Sequence, residues 1–379
     1  MTDIPLFEIN WDREDILNVV DSVGRGSHWA KGPYVDEFES RLESYLGVEH
    51  ALVVNSGTTA LVAALEGAGI GEGDEVIVPA FTFIATANAV RLVGAEPVFA
   101  DIETETYGLD PDDVRNRISE DTAAVLPVHC YGTSCRISAL NDVADEHDLV
   151  VIEDAAEALG ATHRGQHLGT LGDVGALSFC QNKIISTGEG GAVVTDDDDI
   201  AETVRLYRSH GRASANYFDS ADSGEYVSVG TNIRMADINA ALGCAQLDRI
   251  DDIIERRRAA ATRMSEAFAD VEGVEPHKPA VDNTHVYQLF TVTLDPLIDR
   301  SAVVEGLADR KVASKVYWDP AVHRTEVYDG DSTPDLPVTE DVAGRVLSLP
   351  IHPDLSSEET TRIVDAVAAT VGEAWETGP

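Results

Sequence analysis

The chain has 379 residues, 44% of them hydrophobic, and this length favours two domains over one. No apolar stretch approaches the roughly 20 residues that a membrane-spanning helix needs. The acidic beginning, MTDIPLFEINWDRED, lacks the pattern of a signal peptide. The four cysteines follow neither a metal-binding nor a disulfide spacing. We therefore expect a soluble cytoplasmic protein without a metal site and without a membrane partner.

Acidic residues dominate the charge, with 68 Asp and Glu against 27 Lys and Arg and a formal net charge of −41. Only five of the basic residues are lysines, and the acidic residues are spread along the chain. Repulsion of this size weakens a fold at low salt, whereas concentrated salt screens it. We predict that the protein is adapted to the salt-rich cytoplasm of a halophile. The alternative is that its acidic surface binds a basic partner. Nucleic acid is disfavoured because its phosphates would be repelled.

Strand-like and helix-like segments alternate through the first two-thirds of the chain, which predicts an α/β fold with a mainly parallel, doubly wound sheet. Predicted strands lie at 76–78, 97–99, 123–128, 149–152, 176–180 and 192–195, with helices at 82–92 and 138–147. The pattern changes at about residue 250, where a long amphipathic helix is predicted. Further strands at 286–294 and 311–317 and a helix at 357–376 follow. We predict a large domain at 1–248 and a smaller C-terminal α/β domain at 249–379.

Two residues near strand ends are candidates for chemistry. Lys183 follows an apolar strand and precedes a glycine cluster, so its amine could form an imine with an aldehyde; a surface lysine in a loop is the alternative. Asp154 ends the strand LVVIED, and we expect it at the same edge of the sheet. A carboxylate there would keep a pyridinium nitrogen protonated. The alternative for Asp154 is a helix N-cap.

Two further segments suit a flat, phosphorylated ligand. Ser56, Gly57 and Thr58 open an apolar helix after the strand-like HALVVN, and free amides at a helix N-terminus bind anions. A simple capping turn fits this segment equally well. Phe81 and Phe83, in PAFTF, follow another strand, where an aromatic face could stack on a cofactor. Core packing is the alternative for both rings.

The order of these segments resembles that of a known family. It reads SGT after a strand, PAFTF, VIEDAAEALG, SF before NK, TGEGG and TNIRM. This order resembles the sugar aminotransferases of the DegT/DnrJ/EryC1/StrS type, which are fold-type-I pyridoxal-phosphate (PLP) enzymes, and the likeness runs from FEINW to LSLPIHPDLS. NKIISTGEGG with EDAAEALG is most similar to the perosamine-synthase-like branch, which aminates C4 of a nucleotide-linked 4-keto-6-deoxy-hexose.

The resemblance implies PLP as the cofactor and a role for each matching residue. Lys183 would carry PLP as a Schiff base and move the proton between substrate and cofactor. Asp154 would pair with the ring nitrogen, and Phe83 would stack on the ring. The phosphate would be held by Gly57, Thr58 and Ser178.

The resemblance also implies a homodimer with shared sites. Asn232, in TNIRM, matches an asparagine that reaches the phosphate from the neighbouring subunit. His323 and Tyr328 match a stretch that lines the sugar pocket, although the intervening RTEV differs from the family pattern. The substrates would be glutamate and a nucleoside-diphosphate keto-sugar, whose charge requires a basic cluster in so acidic a protein. The candidates for this cluster are Lys31, Arg212 and Arg234.

Glu157 departs from the family pattern, because many members carry glutamine beside the phenolic oxygen of PLP. Glutamine can donate a hydrogen bond to a phenolate, and an ionised carboxylate cannot. Glu157 is therefore protonated, separated from the oxygen by a cation or water, or turned toward the sugar.

Lysine at position 183 favours transamination, because dehydratase relatives carry histidine there. Another PLP reaction of the same fold, by a lyase or desulfurase, and a non-catalytic regulator are the alternatives. A desulfurase needs a mobile nucleophilic cysteine. Cys130 and Cys180 lie in or beside strand-like segments, which argues against that mobility. A regulator would be expected to lack Lys183 or Asp154.

Overall fold

The computed structural model describes residues 2–214, 224–330 and 333–376. The α-helices are α1 (Arg13–Gly24), α2 (Pro33–Leu46), α3 (Gly57–Gly67), α4 (Ala85–Leu92), α5 (Pro111–Arg117), α6 (Ile137–His147), α7 (Asp198–Tyr207), α8 (Asp237–Leu247), α9 (Ile250–Phe268), α10 (Arg300–Asp309), α11 (Pro337–Arg345) and α12 (Ser357–Glu376). The strands are β1 (His50–Val54), β2 (Glu75–Pro79), β3 (Glu96–Ala100), β4 (Thr122–Val125), β5 (Val150–Asp154), β6 (Thr162–His163), β7 (Gln166–His167), β8 (Val174–Ser178), β9 (Gly191–Thr195), β10 (Val274–Pro276), β11 (Phe290–Leu294) and β12 (Val346–Leu349).

A seven-stranded sheet in the order β1-β9-β8-β5-β4-β2-β3 forms the centre of the fold. The strands from β8 to β3 are parallel, and β9 runs antiparallel to both of its neighbours. The chain moves outward from β2 to β3 and then returns to place β4 on the other side of β2. Ligands of open α/β sheets bind at the carboxyl ends of strands beside such a reversal. The predicted α/β fold with a mainly parallel, doubly wound sheet is confirmed.

Helices cover both faces of this sheet, and for this reason its strands are apolar along almost their whole length. Helix α3 contributes an unbroken buried run, Ala60 to Leu65, to the core on one face. On the other face, α2 and α8 pack with the beginning of α9. Because α3 is fixed by this packing, its N-terminus is held rigidly at the carboxyl edge of the sheet.

A second, three-stranded antiparallel sheet, in the order β10-β11-β12, belongs to the C-terminal part of the chain. Its core also includes residues of α9, α10 and α12. Helix α9 serves both cores, with Ile250 and Ile253 in the large one and Met264 and Phe268 in the small one. The predicted boundary at 248/249 lies just before this helix and stays a prediction.

The predicted strand at 311–317 is wrong. The segment makes only isolated bridges, between Val312 and Ile4 and between Lys315 and Ser348. It then departs from the sheet, because Tyr317 and Trp318 pack against residues of the large sheet's carboxyl edge. The helices predicted at 138–147 and 357–376 are confirmed within one residue at each end.

Across residues 2–214, 224–330 and 333–376, no helix combines the length and apolarity needed to cross a membrane. The same ranges hold no group of three or more His, Cys, Asp or Glu side chains arranged to bind a metal ion.

Candidate active site

A cavity of about 370 Å³ opens at the carboxyl edge of the large sheet. Residues that follow β1, β2, β4 and β8, together with the last residue of β5, form most of its wall. Tyr317 and Trp318 close one side from the segment that leads into the C-terminal sheet. The cavity adjoins the reversal of strand order between β2 and β4, where this class of sheet binds ligands.

Lys183 and Asp154 both face this cavity, although 29 positions separate them in the sequence. Asp154 is 6% exposed and accepts hydrogen bonds from Thr86 Oγ1 at 2.8 Å and the Ala156 amide at 3.1 Å. Burial raises the pKa of the Asp154 carboxyl, and the two hydrogen bonds and the charge of Lys183 act against that rise. The segment 156–160 forms turns and no helix follows directly, so Asp154 does not cap a helix. Its carboxylate is placed to hold a cationic ligand nitrogen.

The N-terminus of α3 opens into the same cavity, where Ser56, Gly57 and Thr58 line the wall. Ser56 Oγ accepts a hydrogen bond from the Thr59 amide at 3.1 Å. Gly57 and Thr58 are the first two residues of the helix, where main-chain amides have no acceptor within the helix. Gly57 lies against Ser178, since a Cβ on Gly57 would come within 2.7 Å of the Ser178 Cβ. Only glycine permits this approach, and it places the Ser178 hydroxyl beside the positive end of the helix. A phosphate group fits this arrangement.

The two phenylalanines of PAFTF lie in different environments. Phe81 is fully buried and packs edge-on against Tyr131 and Trp318. Phe83 is 58% exposed and lines the cavity. Its exposed ring offers a face on which a flat cofactor can stack, whereas Phe81 is a core residue.

Glu157 turns its carboxyl group toward Lys183. Oε1 lies 3.3 Å from Lys183 Nζ, and Oε2 accepts the Tyr131 amide at 2.9 Å. Both side chains are largely buried, with exposed fractions of 13% for Glu157 and 14% for Lys183. The carboxylate is therefore held by a main-chain donor on one oxygen and contacts the lysine with the other.

The three basic candidates meet in a second, smaller cavity of about 100 Å³, apart from Lys183. Lys31, Arg212 and Arg234 all line it. Ser209 Oγ accepts hydrogen bonds from Arg212 at 3.0 Å and from Arg234 at 3.1 Å. The pKa of Arg234 is lowered by burial and by the charges of Arg212 and Arg208. Such crowding of cations favours a bound anion.

Asn232 is exposed and lies outside the Lys183 cavity. Its backbone pairs with Ser209, which places it beside the second cavity.

His323 and Tyr328 also lie outside the Lys183 cavity, packed near Phe99. The His323 ring is buried and its Nε2 is 3.1 Å from Glu340 Oε1, while the Tyr328 hydroxyl donates to Asn88 at 2.7 Å. Both side chains are therefore held by ring packing against Phe99 and by polar contacts with Glu340 and Asn88. Their predicted contact with the sugar stays a prediction.

The cavity residues that were not predicted from the sequence include Thr86, Tyr317 and Trp318. Thr86, which binds Asp154, stands three residues after Phe83, and its signal was a polar residue in the first turn of an apolar helix. Tyr317 and Trp318 form an aromatic pair before Asp-Pro. An aromatic pair before Asp-Pro is a sign of a turn, whereas the strand predicted at 311–317 includes Tyr317.

These groups correspond one by one to the parts of PLP. Lys183 suits the aldehyde, Asp154 the ring nitrogen, Phe83 the ring face, and the end of α3 the phosphate. Fold and site together define a fold-type-I PLP-dependent enzyme. The chain belongs to the DegT/DnrJ/EryC1/StrS aminotransferase family, whose profile matches residues 10–368, and PLP is its cofactor.

Named relatives cover nearly the whole chain. GDP-perosamine synthase of Caulobacter vibrioides is 38% identical over 377 residues, covering 97% of this chain and 99% of the relative. The dTDP-3-amino-3,4,6-trideoxy-alpha-D-glucose transaminase of Streptomyces venezuelae is 38% identical over 355 residues, covering 93% and 90%. The PLP form of Spr1654 from Streptococcus pneumoniae has a similar structure, with a TM-score of 0.91, 28% identity and coverage of 98% and 99%.

Proposed function

We propose that this protein transfers an amino group from glutamate to the C4 keto group of a nucleotide-linked 4-keto-6-deoxy-hexose, for amino-sugar and glycan biosynthesis. The observation that carries the proposal is the meeting of Lys183 and buried Asp154 in one cavity with an anion-binding helix end. The resemblance to the perosamine-synthase-like branch implies C4 as the site of amination, and a relative named GDP-perosamine synthase is consistent with that branch. The name of the Streptomyces relative contains a 3-amino sugar, so the carbon has to be tested.

Each side chain of the cavity has a separate role in the proposed reaction. When bound, PLP would supply the electron sink that transamination requires. Asp154 keeps the ring nitrogen protonated, and the end of α3 with Ser178 holds the phosphate in place. Lys183 would anchor the cofactor, and its amine would be the group that takes up and returns the proton. Tyr317 and Trp318 exclude water from one side of the cavity.

The second cavity supports a nucleoside-diphosphate substrate and a homodimer. Its cations, Lys31, Arg212 and Arg234, would bind a diphosphate that the protein's net charge of −41 otherwise repels. They lie beside Asn232 and apart from Lys183 of the same subunit, as expected if they serve the partner's site. The N-terminal region also exposes apolar side chains, including Trp11 at 65%, which a subunit contact would cover.

The substrate is tested by incubating the purified protein in high salt with glutamate and a panel of GDP-, UDP- and dTDP-linked keto-sugars. We expect one 4-keto-6-deoxy-hexose to gain an amine at C4 and glutamate to be consumed in equal amount. Mass spectrometry and NMR of the product identify the aminated carbon. Lys183→Ala is the control and should form no product.

Cofactor attachment is tested in the same preparation. The protein should be yellow, and borohydride should abolish the colour by reducing the Schiff base. After digestion, the pyridoxyl group should map to Lys183. An adduct on one of the other four lysines, or a colourless protein that PLP cannot reconstitute, would contradict the assignment of Lys183.

Subunit mixing tests the shared site. Lys183→Ala and Asn232→Ala should each be impaired alone, the first in anchoring PLP and the second in holding its phosphate. In a mixed dimer one site carries both changes and the other carries neither, so we expect activity to return in part. The measurement is activity after subunit exchange, with exchange followed by two affinity tags. If tagged mixed dimers form and stay inactive, Asn232 and Lys183 act in the same subunit's site.

A further inference from the structure

The contact between Glu157 and Lys183 has a consequence for the protonation of the site. The Tyr131 amide fixes one carboxyl oxygen of Glu157, and the other oxygen lies 3.3 Å from Lys183 Nζ. The Tyr131 amide is a donor, and so is Lys183 Nζ when it carries a proton. Both oxygens of Glu157 then act as acceptors, which is the pattern that suits an ionised carboxylate.

We propose that Glu157 is a fixed counter-ion for the Lys183 nitrogen and keeps that nitrogen protonated when PLP is attached to it. The inference rests on the proposed attachment of PLP to Lys183. A Schiff-base nitrogen is cationic when protonated, and a carboxylate a few ångströms away stabilises the cation. Glutamine at this position would offer only a dipole. The departure from the family pattern therefore changes the electrostatics of the lysine and not merely a contact to the phenolic oxygen.

Glu157 would also hold the Lys183 amine in the cavity after that amine is released from the cofactor. The released amine requires a nearby acceptor if it is to stay in the cavity and exchange a proton with the substrate. Asp154, the other buried carboxylate of the cavity, is already bound by Thr86 and the Ala156 amide. Glu157 is held by Tyr131 through one oxygen only, and its second oxygen is directed at Lys183. It thus retains the amine without competing for the site of the ring nitrogen.

The test is the pH midpoint of the visible absorbance change of PLP-loaded protein, measured in high salt. Glu157→Gln removes the anion and keeps the shape, so the protonated form is destabilised and the midpoint should fall. At a contact of this length, discounted for partial solvent exposure, we expect a fall of about one to three pH units. Glu189→Gln is the matched control, since Glu189 lines the same cavity and its Oε1 lies 3.8 Å from Cys180 Sγ. Its midpoint should move much less.

An unchanged midpoint in yellow Glu157→Gln protein would overturn the inference, because it would mean that Glu157 carries the proton itself and that glutamine replaces it as a donor. If Glu157→Gln does not retain PLP, Glu157→Asp takes its place. Aspartate is one methylene shorter, so its carboxylate lies farther from the Lys183 nitrogen. The midpoint of Glu157→Asp should fall more than that of Glu189→Gln, and a smaller fall overturns the inference. A wild-type protein without a Lys183 adduct would instead contradict the proposed function, so the two failures are distinguishable.

Discussion

Asp154→Asn is expected to lower kcat by about a hundredfold or more while PLP remains bound. In the proposed site the carboxylate would stabilise the protonated ring nitrogen, and a protonated ring is the stronger electron sink in the transition state. Asparagine leaves the nitrogen free to lose its proton, and a hundredfold loss corresponds to about 2.7 kcal/mol of transition-state stabilisation. The measurements are kcat with glutamate and the keto-sugar, and the visible spectrum as a record of bound PLP.

Asp197→Asn is a matched control for this substitution. Asp197 caps α7 by accepting the amides of Asp199 and Ile200, and asparagine caps a helix about as well as aspartate. We therefore expect nearly unchanged kcat for this variant. If Asp154→Asn were as active as the control, the role of Asp154 would be limited to its bonds with Thr86 and Ala156.

The melting temperature and the activity are both expected to rise steeply with salt up to about 1 M. At low salt the repulsion among acidic side chains extends about 30 Å (at 0.01 M), across most of a domain, and at 1 M it extends about 3 Å. The net charge of −41 makes this the largest expected effect of solvent on stability. For the proposed homodimer, dilution should release PLP and separate the subunits, because a shared site would bring two like-charged chains together.

Thermal melts across a KCl or NaCl series test this expectation. Sucrose is the control, because it stabilises through exclusion from the protein surface and does not screen charge. A melting temperature that stays flat from about 0.05 M to about 2 M salt would remove the halophilic interpretation. It would favour an acidic surface that binds a basic partner, and it would leave the proposed chemistry of Lys183 unaffected.

Arginine ion pairs on the surface offset this repulsion only in part. Several are one helical turn apart, such as Arg41 with Glu37 and Arg345 with Asp341. Exposed pairs of this kind contribute about 0.3–0.5 kcal/mol each and lose strength in salt. With 27 basic against 68 acidic residues, most carboxylates lack a cation to pair with, so screening by solvent ions remains the larger effect.

The sequence by itself determined the fold class, the family and the residues at the strand ends. Asp154 ends β5 and Gly57 opens α3, and both places follow from local signals, namely a short apolar run and a helix start. In a parallel sheet such ends meet at one edge whatever the details of packing. Lys183 and Asp154 could therefore be expected in one site before their distance in space was known.

Only the tertiary structure decided which way the side chains turn and which distant segments meet. Glu157 faces Lys183 because the Tyr131 amide, 26 residues away, holds its carboxyl group. Trp318 reaches the cavity because its segment departs from the C-terminal sheet after a single bridge at Lys315. Arg234 lies in a separate basic cavity, although TNIRM belongs to the same motif set as Lys183. Periodicity and motif order specify local conformation, whereas these positions depend on contacts between parts of the chain that are far apart in sequence.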